Sequence, residues 1–239
     1  MLLYYIRHGE PLHIPDHSLT PLGRAQAEAL AKRLCLFGLD RVFASPTLRT
    51  MQTAKPICDL LGKEITVCPW ADEGIVWEEF TVPNEKHGKT WAFFDPCYLE
   101  IFSSPDVRAL GENWYRHPAL SNPKFESGVK RVNAAVDEFF LSLGYRHDRE
   151  NARYEVVEPN HDRVALFAHQ GFGMSFFSSM LDIPYPMFSS RFDFCHSSMS
   201  VIEFEPRGKY VYPHVLQVAN DSHIYREGIM TGYNNGIKF

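Results

Sequence analysis

The 239-residue chain is 45% apolar and 22% charged, the balance of a globular protein with material for a large core, and its length suits one domain or one domain with an insertion. A net charge of −5 offers no basic surface for nucleic acid or an anionic membrane, and no apolar run is long enough to span a bilayer. The five cysteines (Cys35, Cys58, Cys68, Cys97, Cys195) are odd in number and lack a Cys-x-x-Cys pair, so unpaired thiols in a reducing cytoplasm are expected, with Cys35 and Cys58 buried in apolar helical patterns.

The apolar run Leu2 to Ile6 predicts a buried strand, too short for a signal peptide, that delivers Arg7-His8-Gly9-Glu10 at its end. Without secretion, the sequon Asn220-Asp221-Ser222 carries no meaning. Thr20 as N-cap and Pro21 open a helix with Leu22, Ala25, Ala29, Leu30, Leu34 and Phe37 on one face, stopped by Gly38. A strand over 41–44 follows, then a helix capped by Ser45, begun by Pro46 and ended by Gly62. Residues 64–67 predict a third strand. The apolar spacing over 125–143 predicts an amphipathic helix before Gly144. A strand over 163–168 runs into His169-Gln170-Gly171 and a helix over 171–181, and two β-rich stretches, 198–204 and 210–218, close the chain. Alternating strands and helices argue for an α/β fold, a three-layer α/β/α sandwich around a mainly parallel sheet.

Residues 74–125 break this alternation. They carry Trp77, Trp91 and Trp114, many further aromatics and five prolines, without clear periodicity. Such aromatic density argues against disorder, and the expected organisation is one domain over 1–239 with a cap inserted at 74–125.

An arginine and a histidine at one strand end, and a second histidine at another, sit where α/β folds bind ligands. Histidine can attack phosphorus, and guanidinium suits paired phosphate oxygens. His13 and His17 stand at i, i+4, but Pro15 disfavours the helix that would converge their rings, so no metal site is expected. His87, His117, His161, His196 and His214 have no partner spacing, and His223 is placed near the core without assigned chemistry.

The motifs resemble those of the histidine phosphatase superfamily, the phosphoglycerate-mutase-like proteins. They are Arg7-His8-Gly9, the Leu19-Thr20…Gly23…Gln26-Ala27 helix, Ser45-Pro46…Arg49…Gln52-Thr53-Ala54, Glu126-Ser127…Arg131, His169-Gln170-Gly171 and Asn220-Asp221…His223-Ile224. The resemblance covers about residues 1–73 and 125–224. It implies His8 as nucleophile through a phosphohistidine, Arg7, Arg49, His169 and Gln170 as phosphate-binding residues, and His169 as a further catalytic residue. It implies no cofactor and no metal.

In the branch with the short Arg-His-Gly-Glu motif the proton donor is a mid-chain glutamate. Here the segment is Asp72-Glu73-Gly74-Ile75-Val76-Trp77-Glu78, a compressed version of the family pattern. Glu73 is the expected acid, with Asp72 and Glu78 as alternatives. The acid-phosphatase and phytase branch needs an Arg-x-Pro after its Arg-His-Gly and a late His-Asp, which Glu10-Pro11-Leu12 and His169-Gln170 do not supply. The expected function is a phosphomonoesterase acting on a small phosphorylated metabolite. A phosphoglycerate-type mutase and a non-catalytic phospholigand-binding or protein-interaction module are the alternatives, and Leu12-His13-Ile14 lacks the Trp-Asn pair usual in the mutases. Neither the particular metabolite nor an oligomeric state is written in the motifs.

Overall fold

A computed structural model describes residues 1–12, 17–120, 122, 124–234 and 236–237. In chain order its elements are β1 (Leu2–Arg7), α1 (Pro21–Leu34), β2 (Arg41–Ala44), α2 (Leu48–Leu61), β3 (Ile65–Val67), α3 (Glu73–Phe80), β4 (Thr81–Asn84) and β5 (Gly88–Trp91). They continue with α4 (Pro96–Ser103), α5 (Pro105–Ala109), α6 (Lys124–Ser142), β6 (Tyr145–Asp148), β7 (Arg153–Val156), β8 (Arg163–Ala168), α7 (Gln170–Leu181) and α8 (Tyr185–Ser189). The chain closes with β9 (Met199–Glu203), β10 (Pro206–Arg207), β11 (Tyr210–Val211), β12 (His214–Asn220) and α9 (Ser222–Arg226). They divide into two compact units. One comprises Met1–Asp72, Pro159–Gln170 and the chain from Phe194 onward; the other comprises Glu73–Glu158 and Gly171–Asp193.

The first unit is built on a six-stranded sheet ordered β12-β9-β1-β8-β2-β3. β1, β8, β2 and β3 are parallel neighbours, whereas β9 is antiparallel to both β1 and β12. Alternate residues Ile6, Val42, Ala44, Ala165, Phe167, Met199 and Val201 meet Leu30, Ala31 and Leu34 of α1 and Ala54 and Ile57 of α2 in one core. The other set, Leu3, Tyr5, Phe43, Val164, Leu166 and Ile202, is buried as well. Strands buried on both faces explain why the sequence shows continuous apolar runs rather than alternation.

Two helices differ in detail from the sequence expectation. In α1 the buried residues are Gly23, Gln26, Ala27, Ala29, Leu30, Ala31 and Leu34, while Leu22 is exposed, as is Phe37, which lies beyond the end of the helix at Leu34. Gly23 and Gln26 are buried because they receive the loop after His8, as shown below. Helix α2 starts at Leu48 with Thr47 at its N-cap, not at Pro46. Ser45 is taken instead by the sheet, its amide donating to the Phe167 carbonyl at 2.9 Å. Gly62 does end the helix, in the left-handed region at φ 61°. Cys35 is exposed at the C-cap of α1, against expectation, because that helix ends before its side chain reaches the core; Cys58 is buried. Burial pushes the Cys58, Cys68 and Cys195 thiols up to about 11, which leaves them as inert thiols.

The second unit has an aromatic core. Trp114 stacks on Tyr185 and contacts Phe102 and Phe125, with Phe80 packed against Phe125 and Tyr185. A second cluster joins Phe139, Phe140, Tyr154, Phe172 and Phe176. Residues 74–125 are thus ordered as short helices and the β4–β5 hairpin around buried rings. The hairpin β6–β7 was not foreseen, since its residues carry charges at alternate positions rather than an apolar run.

Candidate active site

Sheet order explains why distant sequence segments meet. Arg7, last in β1, pairs with Ala168, last in β8, and Ala44, last in β2, pairs with Phe167. His8, His169 and Ser45 therefore leave three adjacent parallel strands side by side. The rings of His8 and His169 lie 5.2 Å apart, edge to face, and His169 Nε2 is 2.7 Å from Ser45 Oγ. Because β9 runs the other way, its beginning lies where β1 ends, which brings His196 and Ser197 to the same place.

His8 is held on all sides. Its amide donates to the Ala168 carbonyl at 3.0 Å, and its carbonyl accepts from the Ser197 amide at 3.0 Å. Its Nδ1 lies 2.8 Å from the Gly9 carbonyl. A carbonyl only accepts, so Nδ1 carries the proton and Nε2 presents a lone pair. Burial, then the charges of His169, Arg7 and Arg49, hold the His8 pKa well below the ordinary histidine value, against the opposing pull of the Gly9 carbonyl. Burial with Arg49 and Arg7 does the same to His169. Both imidazoles are neutral at pH 7.

The recurrent small and polar residues of the motifs fix this loop. Gly9 donates to Thr53 Oγ1 at 3.0 Å, Leu19 to Gln52 Oε1 at 2.7 Å, and Glu10 to Gln26 Oε1 at 2.8 Å. Thr20 caps α1, accepting from the Gly23 amide at 2.9 Å. Gly23 leaves room for the loop, since a Cβ there would lie 2.2 Å from the Glu10 carbonyl oxygen.

Arg7 is buried. Its Nη1 donates to the Phe194 carbonyl, and its Nη2 lies 2.9 Å from His196 Nε2 and donates to Asn234 Oδ1 at 2.5 Å. Asn234 Nδ2 in turn donates to Gln170 Oε1 at 2.6 Å. Arg49 is the second residue of α2 and half-buried, its charge felt by both His8 and His169. The structure thus gathers Arg7, His8, Arg49, His169 and Gln170 at one end of the sheet. It adds Ser45, Thr53, His196 and Asn234, to which the sequence reading gave no role at the site. His196 lies 5.9 Å from the His8 ring, and no spacing signal could have found it, because an antiparallel strand brings it there. His223 is buried as expected, with Nε2 3.1 Å from Ser197 Oγ. Burial lowers its pKa to about 4, so it is a neutral brace behind the residue that holds His8.

The acids lie apart in kind. Glu78 is an exposed surface residue paired with Lys89 and Lys124 at 3.1 and 3.4 Å, and their hydrogen bonds lower its pKa. Within the second unit Glu73 opens α3, and its Oε1 accepts from the Gly171 amide at 2.9 Å at the start of α7. The Trp91 ring lies so close to Gly171 that a Cβ would fall 2.3 Å from it, and Trp77 meets Trp91 edge-on at 4.9 Å. Arg131 of α6 clamps Glu79 of α3 with two bonds of 2.7 Å, which fixes the helix that carries Glu73. Asp72 is half-buried and belongs to the first unit.

Among the described residues, no group of three or more His, Cys, Asp or Glu side chains could hold a metal ion; His13 lies outside those residues. No helix among them is long and apolar enough to cross a membrane.

Residues 3–94 match the model of the histidine phosphatase superfamily, branch 1. Over 147 residues the chain is 27% identical to a Hydrogenobacter thermophilus protein named as a candidate phosphoserine phosphatase, covering 57% of this chain and 65% of that one. It is 40% identical over 78 residues to the mitochondrial serine/threonine-protein phosphatase Pgam5 of Drosophila simulans, 29% of this chain and 27% of the relative. The chain thus spans less than two thirds of the length of these relatives. Among solved structures, the phosphoserine phosphatase of Entamoeba histolytica in complex with 3-phosphoglyceric acid superposes with a TM-score of 0.58 at 17% identity, over 93% of this chain and 98% of that one. A mycobacterial glucosyl-3-phosphoglycerate phosphatase gives 0.57 at 17% identity, with the same coverage. At such identities the likeness is one of fold, here an α/β fold with a mostly parallel sheet.

Proposed function

We propose that this chain, whose residues 3–94 match the histidine phosphatase superfamily, is a phosphomonoesterase working through a phosphohistidine on His8. The observation that carries the reading is the Nδ1 contact to the Gly9 carbonyl, which leaves Nε2 as a lone-pair donor beside Arg7, Arg49 and His169. The Nε2 lone pair forms the N–P bond while the bond from phosphorus to the ester oxygen breaks. Arg7, Arg49, His169 and the Gln170 amide take the charge of the phosphoryl oxygens. Glu73 gives its proton to the departing oxygen. Its carboxylate then takes a proton from water as that water attacks phosphorus, the N–P bond breaks, and inorganic phosphate leaves. Support for Glu73 over Glu78 comes from its anchoring on Gly171, two residues after His169 in the chain, and from the surface pairing of Glu78.

The substrate we assign is a small phosphorylated metabolite, in keeping with the phosphoserine and glucosyl-3-phosphoglycerate phosphatases it resembles. Residues 74–125 are assigned as a cap that selects its alcohol part; Trp114 belongs to the core of that segment, so selection falls to residues nearer Glu73 such as Trp77 and Trp91. The five free thiols favour a cytoplasmic setting.

The test is hydrolysis of p-nitrophenyl phosphate by the purified chain, with and without bisphosphoglycerate. Phosphate release that ignores the bisphosphate is the expected result. Transfer that depends on it would make the chain a mutase, and absence of turnover would make it a binding module. A panel of phosphorylated metabolites then identifies the substrate by kcat/KM.

A further inference from the structure

Asn234 lies in the segment after α9, outside every motif named in the sequence. Its carboxamide bridges Arg7 Nη2 and Gln170 Oε1, at 2.5 and 2.6 Å. The segment is anchored two residues earlier, where the His196 amide donates to the Gly232 carbonyl at 3.0 Å. The polarity of this bridge is dictated from one end. A guanidinium only donates, so the atom facing Arg7 must be the Asn234 oxygen. That turns the Asn234 nitrogen, a donor only, onto Gln170, which must meet it with Oε1. The Gln170 nitrogen is thereby directed away from Asn234, and nitrogen is the end of an amide that an anion can use. His196 Nε2 faces the same Arg7 nitrogen and, by the same rule, must accept from it.

Resting on the assignment of Arg7 and Gln170 to the substrate phosphate, we infer that Asn234 is a positioning residue. It fixes the Arg7 guanidinium and sets the Gln170 amide nitrogen-first toward the phosphoryl oxygens. Asn234 is exposed, so its replacement removes no core packing.

Asn234→Ala and Asn234→Asp are compared with the wild type, using p-nitrophenyl phosphate as substrate and inorganic phosphate as competitive inhibitor. The alanine variant should raise KM and the phosphate inhibition constant together by about 10–150-fold, the worth of one hydrogen bond to a charged group, with kcat within about threefold. The aspartate variant keeps the shape and an acceptor for Arg7 but cannot donate to Gln170. Gln170 then turns its nitrogen to the new carboxylate and its oxygen to the anion, so both constants should rise further than with alanine. In a Gln170→Ala background the effect of Asn234→Ala should shrink, since part of it acts through Gln170. Constants within twofold of wild type, an aspartate variant milder than alanine, or strict additivity with Gln170→Ala would overturn the inference. Wild-type behaviour separates this from the functional reading. A wild type that neither turns over the ester nor binds phosphate defeats the site assignment itself, whereas an active wild type with indifferent variants defeats only the role of Asn234.

Discussion

Gly171→Ala probes the link between packing and proton transfer. The added Cβ would lie 2.3 and 2.4 Å from two atoms of the Trp91 ring and 2.7 Å from Glu73 Oε1. Carbon atoms rest at about 3.5–4.0 Å, so the ring must retreat by more than about 1 Å, and Glu73 must leave the Gly171 amide. Trp91 is buried and stacked on Phe93, with Trp77 against its edge, so it cannot swing into open space. Overpacking of this kind costs about 1–3 kcal/mol, and losing a hydrogen bond to a charged carboxylate adds about 1.5–3 kcal/mol. Chemical denaturation should therefore show a loss of roughly 2.5–6 kcal/mol. The catalytic effect should depend on the leaving group. A displaced acid costs about 10²-fold or more on an alkyl phosphate, which needs the proton, and far less on p-nitrophenyl phosphate, which does not. A variant within about 0.5 kcal/mol of wild-type stability, or one that loses both substrates in equal proportion, would refute the reasoning.

Glu73→Gln retains an oxygen for the Gly171 amide, so the fold should hold while activity on alkyl phosphates falls about 10²–10⁴-fold and on p-nitrophenyl phosphate much less; unchanged rates on both would exclude Glu73 as the acid. Gly23→Ala forces a Cβ to 2.2 Å from the Glu10 carbonyl, backbone against side chain with no rotamer to escape, and should cost about 1–3 kcal/mol or more and disturb the loop that orients His8; wild-type thermal stability and kcat would contradict this. In the second unit His147 lies 2.9 Å from both Asp137 and Asp182, which requires its protonated form. Burial pulls its pKa down, but the hydrogen bonds of those two carboxylates outweigh burial and raise it above the usual value. Its contribution is then fully present below about pH 6.5 and lost as pH rises through the raised pKa. Thermal melting followed from pH 6 to pH 9 should show a decline that His147→Gln flattens, and identical profiles would contradict the assignment.

Much of the first unit was legible because its strands are buried on both faces and read as unbroken apolar runs ending in Arg7-His8 and His169. Thr20, Gly62 and Gly144 marked helix boundaries through their own chemistry, a cap oxygen and two left-handed backbones. The start of α2 was misplaced because Ser45, a good cap by type, is claimed by β8 and His169. Leu22 was placed inward because apolar spacing alone cannot reveal that Gly23 and Gln26 receive a loop, and Phe37 because it cannot reveal that the helix ends at Leu34. His196 and Asn234 were invisible for a different reason. Their place beside Arg7 follows from the reversed direction of β9 and from a C-terminal segment that returns to the sheet end, and neither leaves a local signature. Glu73 could be named as the candidate acid through its resemblance to the family's mid-chain glutamate, but its anchoring on Gly171 needed the structure.

The most direct test of the account is the chemical identity of the phosphorylated intermediate. Wild-type protein mixed with a phosphate ester and quenched without acid should carry one phosphate on the imidazole of His8, identified by mass spectrometry of the His8 peptide. It should be attached through Nε2, since Nδ1 is held by the Gly9 carbonyl. His8→Ala should carry none and hydrolyse nothing. Phosphate on another residue, attachment through Nδ1, or full activity in His8→Ala would contradict the mechanism.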